Sequence, residues 1–333
     1  MDCTPVVLGG LGAALIGGAT AVALKRVLAI GRGREMALAE RVEQAMREAI
    51  HQLAGTLDVQ VLEDAPTHRT VIVSGWDTDE CSVRSIARYL VGLRACAIDA
   101  ALRIRADLED TEADRAEILE NVRAVVGDSN DAASEEETRR KTDERNPWLA
   151  EGIWHLCLVI AAQQRPEIHL PGSVVALNYA HIIAKDHGLD VAAIYEVGSG
   201  DLFGLSFIES KACKHDVNGA MGKAVAFFRE VNEGKKHALR IRQTVQIMRS
   251  SLPEGKQAQI PDSFWKRTRA YVPNPHYCSD CTVDWRNPRP SLAALKVSGA
   301  SIDIMVMPHV IDGYDEFFDR VADEMRAFAG SLR

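Results

Sequence analysis

No GxSxG elbow, no P-loop and no HExxH helix occurs in the 333 residues, which disfavours the common hydrolase and nucleotide-binding chemistries. Cysteine is scarce and irregularly placed. Seven of them, at 3, 81, 96, 157, 213, 278 and 281, are an odd number scattered over a long chain, unlike the disulfide framework of a small secreted domain. The main body is therefore expected in a reducing compartment, the cytoplasm. There is no internal repeat, and no second CxxC accompanies Cys278-Ser-Asp-Cys281.

What is present is the composition of a folded protein, 47% hydrophobic and 26% charged, long enough for one large domain or two ordinary ones. The net charge of −8 is unevenly spread: Lys211 to Lys296 holds 16 Lys plus Arg against 7 Asp plus Glu, so the remainder carries −17. A basic region in an acidic protein suggests a polyanion partner, although a solvated face explains it as well. At the N-terminus, PVVLGGLGAALIGGATAVAL (5 to 24) is uncharged and is followed by Lys25, Arg26, Arg32 and Arg34. That length spans a hydrocarbon core, and the basic flank would leave the body on the cytoplasmic side of an inner membrane. Gly9, Ala13, Gly17 and Ala21 recur every fourth residue, as in close helix packing in lipid. The segment is poor in Leu, Ile and Phe, so a buried or terminal helix is the competing reading.

Periodicity predicts helices over 34 to 54 and through 82 to 126, with a short strand at 71 to 76 between them. GDSNDAASEEETRRKTDERNP (127 to 147) has two alanines as its only apolar residues and ends on proline, the pattern of an acidic linker. WLAEGIWHLCLVIAA then reads as a buried helix and SVVALNYAHIIAKDHG (173 to 188) as another. DVAAIYEV and LFGLSFIESKA, separated by GSGD, form a hairpin signal. A helix at 217 to 233, one or two strands within 291 to 309 and an amphipathic helix near the C-terminus complete an α/β pattern. The expected organisation is a possible transmembrane anchor (1–34), a mainly helical regulatory or docking region (35–147) and an α/β catalytic domain (148–333).

The hairpin carries the chemistry. Residues two apart on a strand share a face, so Glu209 and Lys211 project together, and pairing the two runs can bring Asp190 near Glu209. Two carboxylates and an ammonium in one cleft suit a hard divalent cation such as Mg²⁺ or Mn²⁺ and in-line hydrolysis of a phosphodiester. An exposed edge-strand ion pair of little consequence is the competing reading.

Asp190, Glu209 nineteen positions on and Lys211, with a helix on either side, resemble the PD-(D/E)xK nuclease superfamily. The words HGLD and IESKA are similar to the nuclease effectors of the Hachiman anti-phage system, which act with a helicase partner. The resemblance implies a restriction-endonuclease-like core, a mixed sheet flanked by helices, acting on DNA. It makes Asp190 and Glu209 metal ligands and Lys211 the group that positions the attacking water. Two departures stand out. The motif's proline is replaced by Gly188-Leu189, and the glutamate that many relatives carry on the preceding helix is not found on the face Asn178, His181, Lys185. Glu196, on the same strand face as Asp190, is a candidate substitute ligand. A nuclease-like fold kept as a catalytically inactive nucleic-acid-binding or assembly subunit is the rival expectation.

Further candidates lie around this set. His187, three residues before Asp190, could support the site or simply cap a helix. Lys214, Lys223 and the WKRTRAY stretch with Lys266, Arg267 and Arg269 are candidate DNA contacts, the aromatics offering stacking surfaces. Cys278 and Cys281 are half of a zinc pattern, which Cys213 and His215 would complete if the fold brings them together; otherwise they are surface thiols.

Overall fold

The computed structural model describes residues 36–131, 134–164, 168, 171–179, 189–198, 202–234 and 236–332. The elements run α1 (Leu38–Thr56), β1 (Asp58–Val61), β2 (Arg69–Ser74), α2 (Glu80–Arg94), α3 (Glu112–Val126), α4 (Glu135–Arg140), α5 (Asn146–Gln163), β3 (Ser173–Leu177), β4 (Val191–Val197), β5 (Leu202–Lys214), α6 (Val217–Glu233), α7 (Ala238–Ser250), α8 (Glu254–Gln259), β6 (Thr268–Cys278), α9 (Pro290–Ala293), β7 (Ser301–Val306), β8 (His309–Ile311) and α10 (Tyr314–Ser331). The candidate membrane segment 5–24 lies outside the described residues, and among those described no helix is long and apolar enough to cross a membrane.

The α/β expectation holds. One mixed eight-stranded sheet has the order β1-β2-β7-β6-β5-β4-β3, with β8 pairing both β2 and β6. β3, β4 and β5 form an antiparallel meander, and α6 then crosses over to β6, which runs parallel to β5. One sheet face is covered by α1, α2, α3, α5 and α10, the other by α6, α7 and the aromatic side chains Phe264, Trp265 and Trp285. Strands on which both faces are covered read as nearly continuous apolar runs, as β4 and the first half of β5 do.

Two sequence expectations are corrected. Ser173–Leu177 is a strand, not the start of a helix: Val174 and Val175 are β-branched, and the segment pairs with β4 through Val174↔Tyr195 and Leu177↔Ala193. Residues 135–145 are helical rather than a linker. Ser134 caps α4 in a capping box with Glu137, and the following π-helical turn presents Lys141 and Arg145 to Asp319 of α10 at 3.0 and 2.6 Å. Polar contacts, not an apolar stripe, hold this stretch. The strands β1 and β2 of the expected regulatory region belong to the same sheet as the hairpin, and α1 and α2 share a core with α5 and α10.

β6 is central and carries Pro273 and Pro275, residues usually excluded from such strands because they lack a donor. Its neighbour on one side is interrupted: β7 and β8 occupy one lane between β2 and β6 and break at Met307-Pro308. The Pro273 carbonyl accepts from Met307 N–H at 3.1 Å, so the missing proline N–H groups face that break rather than β5. The pairing that supports Glu209 and Lys211 is left whole, with Glu209↔Pro273 and Lys211↔Pro275 in register.

Candidate metal centre

The hairpin register decides the site. Val191 pairs with Ile208, so the next position outward sets Asp190 beside Glu209. The Ser210 backbone N–H donates to Asp190 Oδ2 at 3.1 Å, fixing that carboxylate against the strand. The Lys211 ammonium donates to Asp190 Oδ2 at 2.8 Å, lies 2.7 Å from Glu209 Oε2, and reaches the Ser210 carbonyl at 3.2 Å. Three oxygens thus converge on one cation. Glu209 is 5% exposed, whereas the Lys211 side chain is 28% exposed and marks where the site opens.

Burial of two carboxylates is tolerable here because the ammonium sits between them; an exposed edge pair would not be enclosed in this way. One positive charge does not neutralise two negative ones. Burial, followed by the neighbouring Asp190 charge, raises the Glu209 carboxyl well above the ordinary carboxylate range. For Lys211 burial works against the charge, yet the two carboxylates outweigh it and hold the ammonium above its ordinary value. A proton on Glu209 or a bound cation would relieve the excess negative charge, and the donor set is all hard oxygen.

Glu151 was not among the sequence candidates, and its charge also raises the proton affinity of Glu209. It lies near the start of α5, the helix that precedes the meander. The signal was visible: Glu151 is the single acidic residue in the buried run from Trp148 to Ala162. Asn178, assigned from sequence to a helix face, instead follows β3 and locks β4, its side-chain oxygen accepting from Ala192 N–H at 2.8 Å.

Behind the site, on the opposite face of β5, Ser210 begins a buried polar chain. Asn274 donates its amide N–H to the Met307 carbonyl at the strand break, so its oxygen is the acceptor for Ser210 Oγ at 2.9 Å and for His276 Nε2 at 2.7 Å. His276 Nδ1 is then bare and accepts from His309 Nδ1 at 3.1 Å. A second proton on His276 would set two N–H groups against each other. Burial, reinforced by the other ring, keeps its pKa well below the ordinary value, and burial takes His309 down to about 3. This neutral chain fills the gap at Met307-Pro308 and holds the strand beneath Glu209 and Lys211.

Other candidates fall elsewhere. Glu196 is six residues along β4 from Asp190, roughly 20 Å at strand rise, and is paired with Lys256 at 2.7 Å, so it is not a ligand of this centre. Arg269 is buried, bonded to the Asn232 side chain and the Lys266 carbonyl, and Trp265 and Tyr271 are core residues; none of the three presents a surface to nucleic acid. Lys266 and Arg267 are exposed, but they precede the end of β6 farthest from Pro275, the partner of Lys211. Lys223 is exposed on α6, and Lys214 is engaged by Asp315 of α10. His187 lies outside the described residues. Cys281 lies beside His215, whereas Cys213 donates to the His276 carbonyl at 3.2 Å. No protein-family model matches the chain, and no curated protein sequence matches it significantly.

Proposed function

We propose that the chain is a divalent-metal-dependent nuclease that hydrolyses phosphodiester bonds of DNA at Asp190, Glu209 and Lys211. The observation that carries this reading is the convergence of the Asp190, Glu209 and Ser210 oxygens on one cation at the rim of the sheet. The order α5-β3-β4-β5-α6-β6, with an antiparallel meander and a helical crossover to a parallel strand, supports it as the restriction-endonuclease-like arrangement of helix, three strands, helix and strand. Glu151 on the leading helix is an acidic group whose charge acts on Glu209.

In this reading Asp190 and Glu209 would hold Mg²⁺ or Mn²⁺, with the Glu151 charge acting on Glu209. A divalent ion there supplies Lewis-acid stabilisation of charge on the phosphate and its leaving oxygen. Lys211 is the exposed member, so its ammonium can turn from the carboxylates toward a water or a phosphate oxygen, orienting the first and steadying the second. Its charge also favours loss of a proton from the attacking water. The narrower role, an anti-phage effector with a helicase-type partner, rests on the words HGLD and IESKA rather than on geometry. The test is plasmid cleavage with Mg²⁺ or Mn²⁺ by the native chain, Glu209→Ala and Lys211→Ala. Both substitutions should abolish cutting in folded protein. Equal cutting by the variants would remove the site from the reaction, and no cutting by the native chain under any metal would favour an inactive, nucleic-acid-binding subunit.

A further inference from the structure

A second cluster lies past the end of β5, four residues beyond Lys211. The register of β5 on β6 shifts between Ala212 and Lys214, and Lys214 has a left-handed backbone with φ 47°. A bulge re-aims the side chains around it, and a non-glycine residue in that region is strained by about 1 kcal/mol or more. His215 comes directly after the bulge, and its ring meets the turn that leaves β6. His215 Nδ1 is 3.4 Å from Cys281 Sγ and 3.4 Å from Asp280 Oδ1, and the same Sγ and Oδ1 are 3.6 Å apart. Zinc bonds of roughly 2.0 to 2.3 Å at tetrahedral angles give donor-to-donor edges of about 3.3 to 3.6 Å. The three atoms therefore already form one face of a zinc tetrahedron.

Hydrogen bonding alone accounts for the cluster poorly. The Cys281 sulfur is within contact of two oxygen acceptors, Asp280 Oδ1 and the Lys214 carbonyl at 3.5 Å, while a thiol has a single hydrogen to give, and of His215 Nδ1, which donates or accepts according to its tautomer. A thiolate bound to a cation removes that mismatch. The Cys278 thiol sits beside the same Asp280 carboxylate, across a turn closed by Cys281 N–H to the Cys278 carbonyl at 3.0 Å. Cys213 is committed elsewhere, to the His276 carbonyl.

We propose that His215, Asp280 and Cys281 bind one structural Zn²⁺ that staples the end of β5 to the end of β6, with the Cys278 thiol turning in from beside Asp280 as the fourth ligand. The ion would hold the strand bearing Glu209 and Lys211 against its central neighbour and offset the strain at Lys214. The inference does not depend on the nuclease reading, since it concerns different side chains and a softer metal.

The test uses the full chain, prepared reduced and without a metal-binding tag. Zinc is measured per chain after gel filtration, and Co²⁺ is exchanged in to report thiolate ligation by its charge-transfer absorption. One zinc per chain is expected, with the tetrahedral thiolate spectrum for cobalt. Cys281→Ser and His215→Ala should lose the ion, while Cys213→Ser and Glu209→Gln should retain it. A cleft of about 560 Å³ bordered by His215 and Cys281 gives chelators access. Stripping the native chain should therefore lower its melting temperature, a readout independent of any variant's folding. A native chain that neither carries zinc nor takes it up on titration overturns the proposal, as does zinc retained by Cys281→Ser and His215→Ala. Loss from Cys213→Ser overturns the ligand set, and loss from Glu209→Gln assigns the ion to the other centre.

Discussion

Replacing Lys211 by methionine isolates the electrostatics of the candidate centre. The substitution keeps much of the stem and removes an ammonium that lies 2.7 and 2.8 Å from two largely buried carboxylates. Stripping a buried pair of its partner costs about 3 to 5 kcal/mol, because a charge is left uncompensated. Here the cost depends on pH with a definite sign. A carboxyl whose folded pKa is raised contributes stability that is present below its unfolded pKa and lost as pH rises through the folded value. In the native chain Glu209 is already raised, and without Lys211 it is raised further. The variant should lose about 3 kcal/mol or more against the native chain at pH 8 and less at pH 4, where the raised Glu209 carboxyl binds its proton in both proteins. Divalent ions should stabilise the variant by about 2.7 kcal/mol at a hundred times its dissociation constant, and the native chain by less, because its ammonium competes for the same oxygens. Urea midpoints by circular dichroism, at both pH values and with and without Mg²⁺, measure all of this. Equal midpoints for the two proteins at pH 8, with no response to Mg²⁺, would refute the reasoning.

Glu151→Gln should weaken Mg²⁺ binding roughly 10- to 100-fold while leaving the fold intact, by titration calorimetry; unchanged affinity would place Glu151 outside the centre. His155, lowered to about 4 by burial, joins His276 and His309 as a neutral core histidine. Their stability contribution is full above pH 6.5 and falls as pH drops toward the folded values, by about 1.4 kcal/mol per histidine per pH unit. Urea midpoints between pH 7 and 5 should fall steeply, and a flat profile would contradict the buried chain. Arg269→Ala should destabilise the protein by about 2 kcal/mol through its lost internal bonds, measured by urea unfolding. Any loss of DNA affinity beyond that of the unfolded fraction, in a filter-binding assay, would restore Arg269 as a contact.

The part of the site that sequence makes legible is the part set by local pattern. GSGD between two apolar runs places Val191–Val197 against β5, and the period of two puts Glu209 and Lys211 on one face. The position of Asp190 follows from that register. β3 is not legible, because SVVALNYAHIIAKDHG satisfies a helical stripe while its first five residues are recruited by the β4 edge. That misreading moved the leading helix off α5 and hid Glu151. The polar stretch 134–145 misleads in the opposite way: it has no apolar stripe, but capping and ion pairs to α10 give it helical partners that no window of sequence contains. WKRTRAY alternates aromatic and basic residues, and only tertiary packing reveals that Trp265, Arg269 and Tyr271 face the core. The meeting of His215 with Cys281 is only half legible, since no spacing rule brings a strand-end histidine to a distant Cys-x-x-Cys turn.

The most direct test of the central claim is an electron paramagnetic resonance titration of Mn²⁺ into the native chain and into the double variant Asp190→Asn, Glu209→Gln. The account predicts at least one Mn²⁺ bound per native chain and that ion absent from the double variant, with secondary structure unchanged. Equal Mn²⁺ binding by the two proteins would contradict it.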